Sequence, residues 1–280
     1  MKEHVKRGPA RVGLIGYGAI GRAVAEAIWT GKVGRATLSA VLVRDRARYH
    51  PVVAPAERRG TLLTDDPDRF FAAGFDLLVE AAGQGAVRAY AEPALQAGHD
   101  LLVVSIGAFT DDALYARLTE LARNGDGRLL LAGGALPAVD WMQAAALAPV
   151  ARVLIAQTKP VASWRGTPAE EMVDLDELAG STCFFTGTAR EAAHTFPKSS
   201  NITAMLALAT VGLDRTEVRL IAEPHGDRMH TRIEFVGDAG SVTVEWQGTP
   251  SATNPSTSAD VPLTVIKAIR DWTGDLVFGA

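Results

Sequence analysis

Apolar residues in the first half of the chain fall into short continuous runs that alternate with segments of helical periodicity. The apolar runs, which are typical of buried strands, lie at residues 11–15, 37–43, 76–81, 100–105 and 129–132. The segments with apolar residues three or four positions apart lie at residues 20–28, 86–97 and 111–124. Strands that are apolar on both faces and alternate with helices are typical of a parallel sheet covered on both sides. The pattern predicts a doubly wound α/β domain of the Rossmann type over residues 1–137.

After residue 137 the pattern changes to strands with fewer, segregated helices. Strand patterns lie at residues 152–158, 183–186, 217–223, 229–236 and 241–246, and helical patterns at 140–147, 170–178 and 201–211. The last three strands follow one another through short turns, which favours antiparallel pairing. We therefore expect an α+β second domain over residues 138–261, with a mixed, largely antiparallel sheet. Its polar segment 248–262 is expected to be a loop, and residues 262–280 to carry a helix that packs back onto the first domain.

Composition narrows the class of protein. The 280 residues are 48% hydrophobic and 21% charged, as in ordinary globular proteins. The net charge of −4 disfavours binding to nucleic acid or to an anionic membrane, and no apolar run approaches membrane-spanning length.

The single cysteine, Cys183, fits a reducing cytoplasm and is expected to be a small buried residue. Because the histidines lack ligand spacing, we expect no metal site.

A glycine motif stands between the first strand and the first helix. Residues 16–21 read Gly-Tyr-Gly-Ala-Ile-Gly. Gly16 permits a tight turn, Gly18 lets the backbone approach a pyrophosphate, and Gly21 lets the helix and strand pack closely. The helix that begins at Ala19 and Ile20 would present free N–H groups to the phosphates. This placement predicts a site for a dinucleotide, NAD or NADP.

The choice between the two dinucleotides depends on the end of the second strand. A site specific for NAD usually has an acidic residue there, about 20 residues past the glycines. In this chain Arg44 stands where the 2′-phosphate of NADP would lie, and Asp45 follows it. We expect NADP to be accepted as well as NAD.

Small residues follow two later strands and would lie at the same carboxyl edge of the sheet. They leave room for the nicotinamide half of the cofactor, and we assign to that half Ala81, Ala82, Gly83, Ser105 and Gly107.

One histidine of six occupies a position suited to proton transfer. Period-two alternation in the strand at 229–236 puts His230 and Arg232 on a polar face, opposite an apolar one. Imidazole titrates near neutral pH and serves as a general acid or base. His225, five residues earlier, is the rival. Cations for an anionic substrate are also present in the second domain, at Lys159, Arg165, Lys198 and Arg232, of which we favour Arg165 and Lys198.

With these residues in place, the chain resembles the L-aspartate dehydrogenase family, whose fold is similar to those of homoserine dehydrogenase and dihydrodipicolinate reductase. The resemblance covers nearly everything after residue 11. The segments that carry it are residues 16–21, 104–107 (Val-Ser-Ile-Gly), 133–136 (Gly-Gly-Ala-Leu), 164–168 (Trp-Arg-Gly-Thr-Pro), 185–189 (Phe-Thr-Gly-Thr-Ala), 196–202 (Phe-Pro-Lys-Ser-Ser-Asn-Ile), 222–224 (Ala-Glu-Pro) followed by His230, and 254–258 (Asn-Pro-Ser-Thr-Ser).

The resemblance implies NAD(P)-dependent oxidative deamination of L-aspartate to oxaloacetate and ammonia through iminoaspartate. The reverse amination, or supply of iminoaspartate to pyridine nucleotide biosynthesis, is equally compatible with it. It also implies that His230 is catalytic and that Ala135 and Asn201 contact the cofactor. A homo-oligomer, most simply a homodimer, is expected to form through the second domain.

Three positions depart from the family pattern: Ser199 and Arg228 replace asparagines, and Thr231 replaces the glutamate after the catalytic histidine, while the loop before that histidine is one residue shorter. They keep a second hypothesis open, a dehydrogenase or imine reductase for another small amino acid or keto acid. A third hypothesis is a dinucleotide-binding protein without catalytic activity.

Overall fold

The computed structural model describes residues 9–251 and 254–277, and the chain divides into two compact units. One unit consists of the chain up to Ala132 together with the segment that begins at Pro262, and the other comprises Gly133–Val261.

The first unit is built on a sheet of six parallel strands in the order β3-β2-β1-β4-β5-β6. Its strands are β1 (Ala10–Ile15), β2 (Ala36–Leu42), β3 (Leu62–Thr64), β4 (Leu77–Glu80), β5 (Asp100–Val103) and β6 (Leu129–Leu131). The chain reverses its direction of travel across the sheet between β1 and β4, and ligands of such sheets bind at the carboxyl ends on either side of that point. The predicted Rossmann fold is confirmed.

Five helices connect these strands: α1 (Ala19–Trp29), α2 (His50–Arg58), α3 (Pro67–Ala72), α4 (Gln84–Gln96) and α5 (Asp112–Asn124). The start of α5 is fixed by Asp111, whose carboxylate accepts a hydrogen bond from the backbone N–H of Leu114. The sequence pattern did not predict α2, β3 or α3. Helix α2 carries a proline in its interior and β3 has three residues, so neither gives a clear periodic signal.

The second unit is built on a five-stranded mixed sheet in the order β11-β10-β7-β9-β8. Its strands are β7 (Val150–Pro160), β8 (Thr182–Thr188), β9 (Thr216–Glu223), β10 (Met229–Gly237) and β11 (Gly240–Gly248). Strands β7 and β9 are parallel, and the other neighbours are antiparallel. The expected mixed, largely antiparallel sheet is present, but β9 does not pair with β10, because β7 lies between them.

Helices α6 (Val139–Ala145), α7 (Ala169–Met172), α8 (Ala189–Thr195) and α9 (Asn201–Ala209) complete this unit. The predicted helix at residues 170–178 ends at Met172, because Val173 is extended and the Asp174 side chain accepts a hydrogen bond from the N–H of Asp176. The expected loop at 248–262 contains a short ribbon of β12 (Pro250–Ser251) and β13 (Asn254–Ser258).

The two faces of the second sheet differ in chemistry. Val153, Ile155, Ile233 and Phe235 are fully buried in an apolar core. The alternate residues form the opposite face, where Arg152 bonds Glu217 and Glu234. Cys183 on β8 is exposed, contrary to the expectation of a buried thiol, because a bulge interrupts the pairing of β8 with β9 at that point.

The last helix, α10 (Val261–Thr273), belongs to the first unit for nearly all of its length. It buries Val265 and Ile269. Trp272 Nε1 donates to Asp100 Oδ2 at 2.6 Å, and Thr273 Oγ1 donates to the Val33 carbonyl at 2.8 Å. In the part of the chain that the structure describes, no helix has the length and apolar character needed to cross a bilayer.

Candidate functional site

In the glycine turn after β1, Gly16 and Gly21 pack tightly against backbone atoms, whereas Gly18 has open space beside it. Gly16 adopts φ 98°, and a Cβ atom there would lie 2.6 Å from the carbonyl oxygen of Ala81. A Cβ atom at Gly21 would overlap the carbonyl oxygen of Gly16. At Gly18 a Cβ atom would meet nothing within 4 Å, so the backbone there is accessible to a ligand. This cradle fits a dinucleotide pyrophosphate.

Helix α1 begins directly in this turn. Gly18 is its N-cap residue and supplies no side-chain acceptor to the first-turn N–H groups. The N–H groups of Ala19 and Ile20, which start the helix, therefore have no capping side chain. Unsatisfied N–H groups and the positive end of the helix dipole favour an anion at this position.

A buried carboxylate joins the loops that follow β4 and β5. Glu80 is 1% exposed, and its Oε1 accepts hydrogen bonds from the N–H groups of Ala82 and Gly83, both at 2.8 Å. Oε1 also accepts from Ser105 Oγ at 3.0 Å, and Oε2 accepts from the Ser105 N–H at 3.0 Å. Four donors from two loops thus converge on one side chain.

Sequence reasoning missed Glu80, although the signal was present. It is the one charged residue in a strand that otherwise reads Leu-Leu-Val, and a charge is almost never fully buried without dedicated partners. The small residues expected at this edge lie close together. Glu80 bonds Ala82, Gly83 and Ser105, and the carbonyl oxygen of Ala81 lies against Gly16. Gly107 lies in the turn after β5, where its carbonyl accepts from Thr110 Oγ1.

Arg44 and Asp45 follow the end of β2 and differ in their bonding. The Asp45 carboxylate accepts from the N–H of Ala47 at 3.0 Å and caps the turn at residues 46–49. Arg44 is exposed, and its side chain forms no hydrogen bond or ion pair within the described ranges. The guanidinium is therefore available for an incoming phosphate.

Replacing Arg44 with alanine is expected to weaken NADP⁺ binding by about tenfold or more while changing NAD⁺ binding little. The reason is that a charge-assisted hydrogen bond to phosphate contributes about 1.5–3 kcal/mol, and only NADP⁺ carries the 2′-phosphate. Calorimetric titration with each dinucleotide measures the effect, with exposed Arg69→Ala on α3 as the control. Equal losses for both dinucleotides would refute the assigned role.

In the second unit, the side chain of Lys159 contacts the turn at residues 197–199, which precedes α9. Lys159 Nζ donates to Ser199 Oγ at 2.9 Å and lies 4.8 Å from the centre of the Trp164 ring. Burial lowers the pKa of Lys159 to about 8, because desolvation disfavours the ammonium form. Asn201 starts α9 two residues after Ser199, and Ser200 between them is buried.

His230 lies near the start of β10, at the same end of the sheet as Lys159, but the two side chains leave the sheet from opposite faces, because His230 pairs with Thr158. Its backbone pairs with Thr158 on β7 and with Gln247 on β11. The buried neighbour Thr231 faces the core, so His230 points to the polar face, as the alternation predicts. The rival His225 is exposed in the preceding turn, where its N–H donates to Glu223.

The other cations named from sequence differ in their partners. Arg165 forms an ion pair with Asp176. Arg232 bonds Glu234 and Glu245. The side chain of Lys198 lies outside the described residues. Ala135 is in the segment between β6 and α6, which ends in a left-handed backbone at Ala138.

Two family models match the chain. The model described as "Aspartate dehydrogenase, C-terminal" matches residues 140–272, and "Homoserine dehydrogenase, NAD binding domain" matches residues 16–132.

Curated relatives and solved structures agree with these matches. The chain is 38% identical to an L-aspartate dehydrogenase of Brucella anthropi, covering 92% of this chain and 94% of the relative. It is 38% identical to one of Cupriavidus necator, covering 92% and 96%. The aspartate dehydrogenase structure from Thermotoga maritima superposes with a TM-score of 0.73 at 20% identity, covering 96% of this chain and 99% of that one, which supports the fold.

The full-length relatives and the dinucleotide cradle lead to one assignment. The chain is an NAD(P)-dependent dehydrogenase that belongs to the L-aspartate dehydrogenase family.

Proposed function

We propose that the protein catalyses the reversible oxidative deamination of L-aspartate. L-Aspartate, NAD(P)⁺ and water are converted to oxaloacetate, ammonium, NAD(P)H and a proton. The observation that carries this proposal is the 38% identity to L-aspartate dehydrogenases over 92% of the chain. The Gly16 turn supports it independently, because its shape suits the cofactor that the reaction requires.

The first unit is proposed to bind the cofactor through its carboxyl edge. The pyrophosphate would lie on the backbone of residues 16–21, and Arg44 would contact the 2′-phosphate of NADP. The nicotinamide half would lie along residues 81–83 and 105–107, with Ala135 and Asn201 of the second unit as further contacts. When bound, the oxidised nicotinamide accepts the hydride that leaves Cα of the substrate.

His230 is proposed as the acid/base residue. Loss of hydride from Cα and of a proton from the amine gives iminoaspartate. A water molecule then adds to Cα and His230 takes one of its protons. His230 returns a proton to the nitrogen, the C–N bond breaks, and the hydroxyl oxygen becomes the carbonyl of oxaloacetate as its proton leaves with the ammonia, giving ammonium. Imidazole suits both transfers because it accepts and donates protons near neutral pH.

The substrate carboxylates need cationic partners, for which Lys198 and Arg165 are the residues favoured from sequence. Arg165 would have to exchange Asp176 for the substrate, because the two form an ion pair. Lys198 lies beside Ser199 in the turn that leads into α9.

The decisive experiment is the formation of NADH or NADPH on addition of L-aspartate to the purified protein. His230→Ala is expected to lower kcat about hundredfold or more, the usual contribution of a general acid/base, while leaving dinucleotide affinity unchanged. His225→Ala is the matched control, five residues away and exposed. If His225→Ala loses activity and His230→Ala does not, the assignment passes to His225.

A second candidate function is a dehydrogenase for another small amino acid or keto acid. Ser199 favours it, because this residue differs from the family pattern and bonds Lys159 in the second unit. Turnover of a related amino acid with no turnover of L-aspartate would identify this alternative. The homodimer stays a prediction that sedimentation velocity would test.

A further inference from the structure

Lys159 differs in its partners from three arginines of the second unit. Arg152, Arg165 and Arg232 each form ion pairs with carboxylates. The partners recorded for Lys159 are a hydroxyl, Ser199 Oγ, and the face of Trp164. Within residues 9–251 and 254–277 no acidic side chain pairs with it, and burial alone shifts its pKa.

The half-buried ammonium of Lys159 has few protein partners. It has three N–H donors, and the serine hydroxyl accepts one of them. Transferring a charge out of water without a counter-ion is unfavourable, so proteins pair buried charges or use them. Trp164 is fully buried and Ser199 is fixed in the turn before α9, so the surroundings hold the ammonium in place.

Lys159 also bonds the turn that leads to a proposed cofactor contact. Its partner Ser199 precedes Asn201 by two residues, and Asn201 is the proposed cofactor contact in this unit. The substrate of the proposed reaction is a dianion.

We propose that Lys159, held by Ser199 and Trp164, binds one carboxylate of the dicarboxylic substrate. This inference rests on the proposed function for the identity of the substrate. It assigns to Lys159 the role that sequence reasoning gave to Arg165 and Lys198. Ser199 acts as a positioning residue, since its hydroxyl fixes the ammonium.

Succinate is a suitable probe, because it carries both carboxylates of aspartate and has no amine to oxidise. Calorimetric titration of succinate into the protein with NADH is expected to show binding at least about tenfold weaker in Lys159→Met, from the loss of a charge-assisted bond. NADH affinity should be unchanged. Exposed Lys32→Met is the matched control and should bind succinate normally.

The thermal stability of Lys159→Met separates a binding role from a structural one. Methionine removes a buried charge and keeps much of the side-chain volume, so the variant should melt at pH 7 no lower than the parent protein. A clear fall in Tm together with unchanged succinate affinity would overturn the inference. Retained succinate affinity with a lost kcat would also overturn the inference, because Lys159 would then serve in proton transfer and not in substrate binding.

The pH profile gives an independent readout. Because the pKa of Lys159 is lowered to about 8, the ammonium is lost above that pH, and succinate affinity should fall there by up to tenfold per pH unit. In Lys159→Arg the charge persists, so any remaining affinity should stay constant from pH 7 to 10. An identical fall in both proteins would contradict the assignment.

These binding measurements need no turnover. If wild-type protein binds succinate through Lys159 but does not oxidise L-aspartate, the proposed reaction fails and the carboxylate site stands. If it oxidises L-aspartate and Lys159→Met binds succinate normally, the reaction stands and this inference fails.

Discussion

Gly21→Ala is expected to abolish detectable dinucleotide binding at ordinary concentrations. A methyl group at residue 21 would overlap the carbonyl oxygen of Gly16, and a backbone atom cannot move aside as a flexible side chain would. Overpacking of this kind costs about 3 kcal/mol, which corresponds to about a hundredfold loss of affinity if the strain falls on the turn. Quenching or enhancement of NADH fluorescence on titration measures the binding.

Two further variants separate the cofactor effect from a loss of folding. Gly18→Ala places its methyl group in open space, so it should unfold in urea like the parent protein but bind dinucleotide weakly, because the methyl group stands where the pyrophosphate approaches. Gly180→Ala in the second unit also meets no neighbour and should preserve both properties. Parent-like NADH binding by both Gly18→Ala and Gly21→Ala would show that the cradle is not the cofactor site.

Glu80→Gln is expected to give the largest loss of stability of any single isosteric change at the first unit's carboxyl edge. The carboxylate accepts four hydrogen bonds, whereas the amide offers one acceptor oxygen and turns an NH₂ group toward N–H or O–H donors. Leaving buried donors unsatisfied costs about 1–3 kcal/mol each, so we expect a loss of about 3 kcal/mol or more in the free energy of unfolding. Urea denaturation monitored by tryptophan fluorescence measures it.

The same variant should also weaken cofactor binding, because Glu80 orders the loops proposed to hold the nicotinamide half. The matched control is Glu92→Gln on α4, a half-buried surface glutamate paired with Arg117, whose replacement should change both quantities little. A Glu80→Gln protein with parent-like stability and NADH affinity would refute the role of Glu80 as the organiser of the two loops.

Much of the fold follows from patterns that are local in sequence. The strands of the first sheet are apolar on both faces, and the glycine turn joins a strand to a helix within a dozen residues, so periodicity and turn chemistry specify them. Helix α2 and strand β3 were missed because an interior proline and a length of three residues leave little periodic signal. The separation of β9 from β10 by β7 was missed because pairing of strands distant in sequence leaves no local pattern.

The residues of the candidate site also fall into two groups: those that a local sequence pattern predicts and those that only the tertiary structure shows. Gly16, Gly18 and Gly21 were predicted from sequence because all three lie within one turn, where close backbone contacts require Gly16 and Gly21 and the proposed approach of the pyrophosphate requires Gly18. Glu80 carried a signal, a charge in an apolar strand, but its four donor groups come from three residues in loops up to 25 residues away. The pairing of Arg165 with Asp176 could not be predicted, since exposed side chains choose among several nearby partners.

By itself, the sequence determined the Rossmann unit, its dinucleotide turn and the alternation that places His230 on the polar face of β10, because backbone geometry and side-chain periodicity act between near neighbours. Only the tertiary structure decided which strands lie side by side, which carboxylate joins the two loops, and which half-buried lysine has no acidic partner among the described residues. These depend on long-range packing, which removes some charged groups from water and leaves others exposed, and that desolvation is what lowers the pKa of Lys159.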